Sequence, residues 1–127
     1  MKYTCQVLID RKIDAVLDAF VKNMIMNKEF KVGSICSFTI DIDENNKMNM
    51  TEKIESINLP NEIVTIYEVD KVWNQCINQF EIIYDKVLYR MFVEFRFEDE
   101  SKIDKDSFYN KTQKQMEEFK NIVEKNY

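Results

Sequence analysis

Glu52 is the side chain with the clearest chemical potential in this sequence. It stands between Met50 and Ile54 at strand spacing, so alternation places it on an apolar face. A carboxylate without a partner in such a place is a candidate general acid or base. The plain alternative is a rim position, or a pairing with Lys or Arg. Asn74 and Asn78 bracket Cys76 on one face of the next long apolar run. Burying an amide without partners costs about 1–3 kcal/mol, so each Asn must either satisfy nearby backbone or face water or a ligand. Tyr67 and Tyr89 combine an apolar body with a polar tip and can aim a hydroxyl into a cavity or bond it to backbone.

Other chemistry is excluded by composition. The chain has no His, which removes the Ser–His and Cys–His nucleophile arrangements and the commonest metal ligand. Its single Gly excludes a Gly-rich phosphate loop, and nothing else demands a cofactor. Asp41, Asp43 and Glu44 form an acidic run, but it lacks the spacing and Gly of a calcium loop, so it reads as a hairpin turn and no metal set emerges. Cys5, Cys36 and Cys76 are far apart and odd in number, which predicts reduced, buried thiols in a cytoplasmic protein. A net charge of −5 with Lys scattered among Asp and Glu argues against nucleic acid and anionic membranes. No apolar run approaches the length of a membrane span, and the N-terminus has no signal-peptide pattern.

Elements that position these residues follow from periodicity. Residues 2–9 alternate as a strand. Asp10 stands as an N-cap for a helix over 12–22, where Ile13, Val16, Leu17 and Phe20 recur at helical spacing. Residues 23–31 have no clear period. After Gly33, Cys36, Phe38, Ile40 and Ile42 share one strand face, Asp43–Asn46 is a turn, and 47–57 returns. Pro60 ends that strand, and Ile63, Thr65, Tyr67 and Val69 share a face of the next. Residues 72–83 and 87–97 form two long strands about a tight turn at Asp85-Lys86. Val87, Tyr89, Met91, Val93, Phe95 and Phe97 lie on one side of the second. A charged loop over 98–106 leads to a terminal helix with Phe108, Thr112, Met116, Phe119 and Val123 on one face, capped by Asp106 or Ser107. At 127 residues and 45% hydrophobic, the chain is one domain, 1–127, with a real core. The order is α+β: a curved antiparallel sheet whose apolar face needs a cover, with one long amphipathic helix to supply it.

This order resembles the START-like, helix-grip superfamily, which includes polyketide cyclase/dehydrase-like and lipid-transfer-like proteins. Val7-Leu8-Ile9-Asp10 with Ile13–Phe20 resembles its first strand and helix. Thr51-Glu52-Lys53-Ile54 with Pro60 and Ile63 resembles its strand–Pro–strand stretch. Val72-Trp73-Asn74-Gln75, Asn78-Gln79-Phe80-Glu81 and Glu94-Phe95-Arg96-Phe97 resemble its central strands, and Phe108–Lys120 its closing helix. Relatives usually carry a second short helix and a further strand before the position of Gly33. The interval from Phe20 is too short here for both, which predicts a trimmed pocket mouth or a chain lacking segments. Family members usually place a Pro at the start of the first helix, where this chain has Arg11-Lys12.

What the resemblance implies is a cavity between sheet and last helix, suited to a small apolar or amphipathic ligand. The expected lining is Met50, Glu52, Tyr67, Asn74, Cys76, Asn78, Tyr89, Met91 and Val93 from the sheet, and Met116 and Phe119 from the helix. Two alternatives stand beside a binding module. One is a cofactor-independent cyclase- or dehydratase-like enzyme using Glu52 and a Tyr. The other is an interaction or homodimer module using an outer patch of Trp73, Ile77 and Phe92.

Overall fold

The computed structural model describes residues 1–41 and 43–127. In chain order its elements are β1 (Lys2–Ile9), α1 (Ile13–Asn23), β2 (Ile35–Asp41), β3 (Lys47–Asn58), β4 (Glu62–Val69), β5 (Val72–Ile83), β6 (Lys86–Arg96) and α2 (Lys105–Asn126). The strands form one curved antiparallel sheet in the order β1-β6-β5-β4-β3-β2. Strands β2 to β6 are a meander joined by short turns, and β1 closes the other side against β6. The chain leaving β1 must therefore cross the sheet to reach β2. Helix α1 and the irregular segment 24–34 make that crossing.

Antiparallel register aligns inward side chains in transverse rows. Val7, Tyr89 and Phe80 form one row across β1, β6 and β5. Cys5, Met91, Asn78 and Ile63 form the next, and Tyr3, Val93, Cys76, Thr65 and Ile54 the one after. A fourth row runs Phe95, Asn74, Tyr67, Glu52, Cys36. The rows nearest Ile9 are the core. Phe20 of α1 and Phe119 of α2 meet Tyr89 there at 5.9 and 5.8 Å between ring centroids. Val16, Ala19, Met116 and Val123 are fully buried around them. Such packing of apolar area supplies most of the stability of a sheet with one covered face.

Several local expectations are corrected. Asp10 does not cap α1. The helix starts at Ile13 with Lys12 as its N-cap and no side-chain cap bond. Asp10 is too far from the first turn, and its own amide donates to Glu124 at the end of α2, 2.8 Å away. The cap of α2 is Asp104, whose carboxylate accepts from the amides of Asp106 and Ser107, so the helix begins within the stretch read as a charged loop. The turn between β5 and β6 is Tyr84–Asp85, and Lys86 pairs with Ile83. Tyr84 sits there at φ 57°, a conformation the sequence hides because Tyr is not a usual turn residue. Gly33 takes φ 87° in the turn that feeds β2, and its amide donates to Ile54 O at 2.8 Å. Ile42, expected on the face of Cys36, lies outside the described residues.

Candidate functional site

The two helices lie over one end of the sheet. Toward the other end, between β2–β6 and the N-terminal half of α2, the fold leaves a hollow of about 680 Å³. The cause is in the helix sequence. The C-terminal half of α2 turns Met116, Phe119 and Val123 into the core, while its first half offers Phe108, Lys111, Thr112 and Gln115 to the hollow. Phe108 stands against Phe95 and Phe97, with centroids 5.1 and 5.7 Å away, and forms part of the wall. Tyr3 and Thr112 share a hydroxyl–hydroxyl bond of 2.7 Å that ties β1 to α2.

Of the residues expected to form a lining, Met50, Tyr67, Asn74, Cys76, Asn78, Met91 and Val93 border the hollow. Four do not. Tyr89, Met116 and Phe119 are buried in the core because α1 and the second half of α2 close over them. Glu52 is fully buried behind Tyr67, under the crossing segment. Further lining comes from Phe38, Ile40 and Met48 of the β2–β3 hairpin, from Met24 and Met26, and from Phe97. Ile40 was legible from strand alternation. Met24 and Met26 lie in a segment without period, so no local signal assigned them.

Glu52 is not an unpartnered carboxylate. It accepts from the amides of Met26 and Asn27 at 2.9–3.2 Å and from the Tyr67 hydroxyl at 2.8 Å. Met26 and Asn27 of the crossing segment belong to no ladder, so their amides need another acceptor, and Glu52 provides it. Asn78 is equally committed. Its Nδ2 donates to Ile63 O and Cys76 O, at 3.1 and 3.4 Å, and its Oδ1 accepts from Tyr89 Oη at 2.6 Å. Asn74 donates from Nδ2 to Glu94 O at 3.0 Å, and among the described residues its Oδ1 meets only the Cys76 thiol, 3.7 Å away.

Burial pushes the Cys76 thiol up to about 12, with the Asn74 hydrogen bond opposing and Glu52 adding. Burial raises Tyr67 well above the usual phenol range, and the Glu52 charge adds to it. All three cysteines are free; Cys5 is buried, while Cys36 and Cys76 are half-buried rather than enclosed. Asp43 accepts from the amides of Asn45 and Asn46, which makes the acidic run a turn-building feature.

On the outer face, Phe92 pairs with Ile77 across β6 and β5 beside a shallow depression. Trp73 does not join them. The row of Gln75 and Glu94 intervenes, and Arg96 lies over the Trp73 ring at 4.1 Å. No helix among the described residues is long and apolar enough to cross a membrane.

No protein-family model and no curated protein matches this sequence. Solved structures match along almost the whole chain. Crystalline Ara h 8.0201 shares 11% identity and 99% of both chains at a TM-score of 0.76. CV1439 from Chromobacterium violaceum shares 10% identity, 97% of this chain and 96% of its own, at 0.79. The AHSA1-like protein from Aeromonas hydrophila shares 15%, with 98% and 92% covered, at 0.71. With its antiparallel sheet, short first helix and long closing helix, the chain has the helix-grip fold that these structures share.

Proposed function

We propose that the chain binds a small hydrophobic or amphipathic molecule in the hollow beneath the first half of α2. The observation that carries this reading is the wall itself. About 680 Å³ is lined mainly by Met, Phe, Ile and Val side chains, with Thr65, Tyr67, Asn74 and Asn78 as polar groups on the sheet floor and Asp70, Lys111, Thr112 and Gln115 among those around it. Ligand sites have this size and makeup, whereas a plain core is filled to the density of an organic crystal. A cyclase- or dehydratase-type reaction would need a proton carrier facing the ligand. Glu52, the residue first considered for that work, has its oxygens engaged by two amides and Tyr67.

Native mass spectrometry of gently purified protein, with organic extraction of the same sample, tests the reading. The expected result is added mass on the monomer that reappears as a small apolar molecule in the extract. Bare protein that also fails to take up a neutral apolar dye such as Nile red overturns it.

A further inference from the structure

The floor of the hollow has a polarity that its residue types alone do not reveal. Glu52 Oε1 and Oε2 are met by the amides of Met26 and Asn27, which can only donate. The Tyr67 hydroxyl gives its proton to Oε2 at 2.8 Å. Its remaining capacity is lone pairs, one of which takes the hydrogen bond of the Thr65 side chain, so toward a ligand Tyr67 Oη still acts as an acceptor. Asn74, directly opposite Tyr67 in the β4–β5 register, is oriented the same way. Its Nδ2 is held by Glu94 O at 3.0 Å, and a flipped amide would set oxygen against oxygen there. That leaves Asn74 Oδ1, among the described residues, with only the thiol of Cys76 at 3.7 Å, a weak donor. Two side chains that each carry a donor and an acceptor are thus both turned into acceptors, with a buried carboxylate behind them.

Resting on the binding reading above, we propose that the hollow selects ligands whose buried polar end is a neutral hydrogen-bond donor, a hydroxyl or an amide N–H, that bonds to Tyr67 Oη and Asn74 Oδ1. An ether or ester at that end would set acceptor against acceptor and leave buried lone pairs unmet. A carboxylate would in addition face the charge of Glu52. Lys111 of α2 and Asp70 both lie exposed and line the hollow, so the cation available to an anionic head stands on the helix and not on this floor.

A matched ligand series tests the proposal on the intact chain. The probes are 2-naphthol, 2-methoxynaphthalene and 2-naphthoate, titrated at pH 7 and followed by naphthalene fluorescence. The three share one ring system; methylation removes the donor and keeps the oxygen. The expected order is naphthol tightest, by about three- to tenfold over the methyl ether, which is the worth of one buried hydrogen bond. Naphthoate should not exceed the ether. Tyr67→Phe should shrink the naphthol advantage toward equality. Since that variant also frees one Glu52 oxygen, the comparison of ligands on the unaltered chain stands as the primary test.

Equal affinity of naphthol and its ether, or naphthoate binding as well as naphthol, overturns the donor preference and leaves the binding reading standing. So does uptake of Nile red with none of the three naphthalenes bound. Failure of Nile red and of all three probes overturns the binding reading and this inference together.

Discussion

Glu52, Asn78 and Cys76 look alike in the sequence, as polar interruptions of apolar strand faces, yet each does different work. Glu52 joins the crossing segment to the sheet through charge-assisted bonds to Met26, Asn27 and Tyr67. Glu52→Gln would turn one acceptor into a donor facing other donors. We expect it to lower stability by about 2–3 kcal/mol in urea unfolding and to speed amide exchange at Met26 and Asn27. Asn78 serves Tyr89 and two strand carbonyls. Asn78→Leu should cost about 1–3 kcal/mol, and adding Tyr89→Phe should recover part of that, because the stranded hydroxyl goes with it.

The buried acids set a pH dependence. The Cys76 thiol is raised to about 12 from its ordinary 9.0, and Tyr67 and Tyr89 are raised above the ordinary phenol value. Above about pH 9 the unfolded chain therefore releases protons that the folded chain retains. Stability from these groups is full below that pH and is lost as pH climbs toward 12. Urea midpoints at pH 8 and 10.5 should show the fall, and Cys76→Ala should flatten it; a midpoint independent of pH over that range would contradict the assignment.

At the scale of elements, α2 is two half-helices with different duties. Its second half buries Met116, Phe119 and Val123 in the core, and its first half roofs a hollow with Phe108 and Thr112. Phe119→Ala should accordingly cost about 3–5 kcal/mol, since a closed cavity remains. Phe108→Ala should cost about 1–2 kcal/mol, because that ring already has an open side. Equal losses in denaturant unfolding would mean the hollow is packed as tightly as the core. Helix α1 is anchored from outside its own sequence. It has no side-chain cap, and Arg11 and Asp10 instead bond to Glu124 at the far end of α2. Lys22 and Asp18 form an exposed i,i+4 pair that adds only a few tenths of a kcal/mol, and Tyr127 Oη donates to the same Asp18 carboxylate.

Over the whole molecule, both helices cover the β1–β6 side, and the β2–β3 hairpin stands away from them. Protection from exchange requires local packing, so the slowest amides should lie in β1, β5 and β6, and those of β2 and Lys47–Thr51 should exchange faster. Hydrogen-exchange mass spectrometry resolves the two groups. Uniform protection across the sheet would contradict the view that one end is core and the other a container. Occupation of the hollow should slow the β2–β3 amides selectively, since a ligand supplies the packing that the helices do not.

Alternation of period two and recurrence at three and four residues are local properties of the chain. They placed all six strands and both helices to within a few residues, put Glu52, Tyr67, Asn74 and Asn78 on the inward face, and carried the likeness to the helix-grip order. Capping and turn chemistry misled where the deciding partner is distant in sequence, as with Asp10 and Glu124, or where an unlikely residue such as Tyr84 takes the turn. The division of the inward face into core and hollow was not local at all. Tyr89 and Tyr67 have the same pattern around them, yet α1 and α2 cross over one and leave the other uncovered. The same holds for hydrogen bonding. Residue type says that Glu52 and Tyr67 carry acceptors and a donor, but only the path of the crossing segment brings the Met26 and Asn27 amides to Glu52 and thereby fixes which way the Tyr67 proton points.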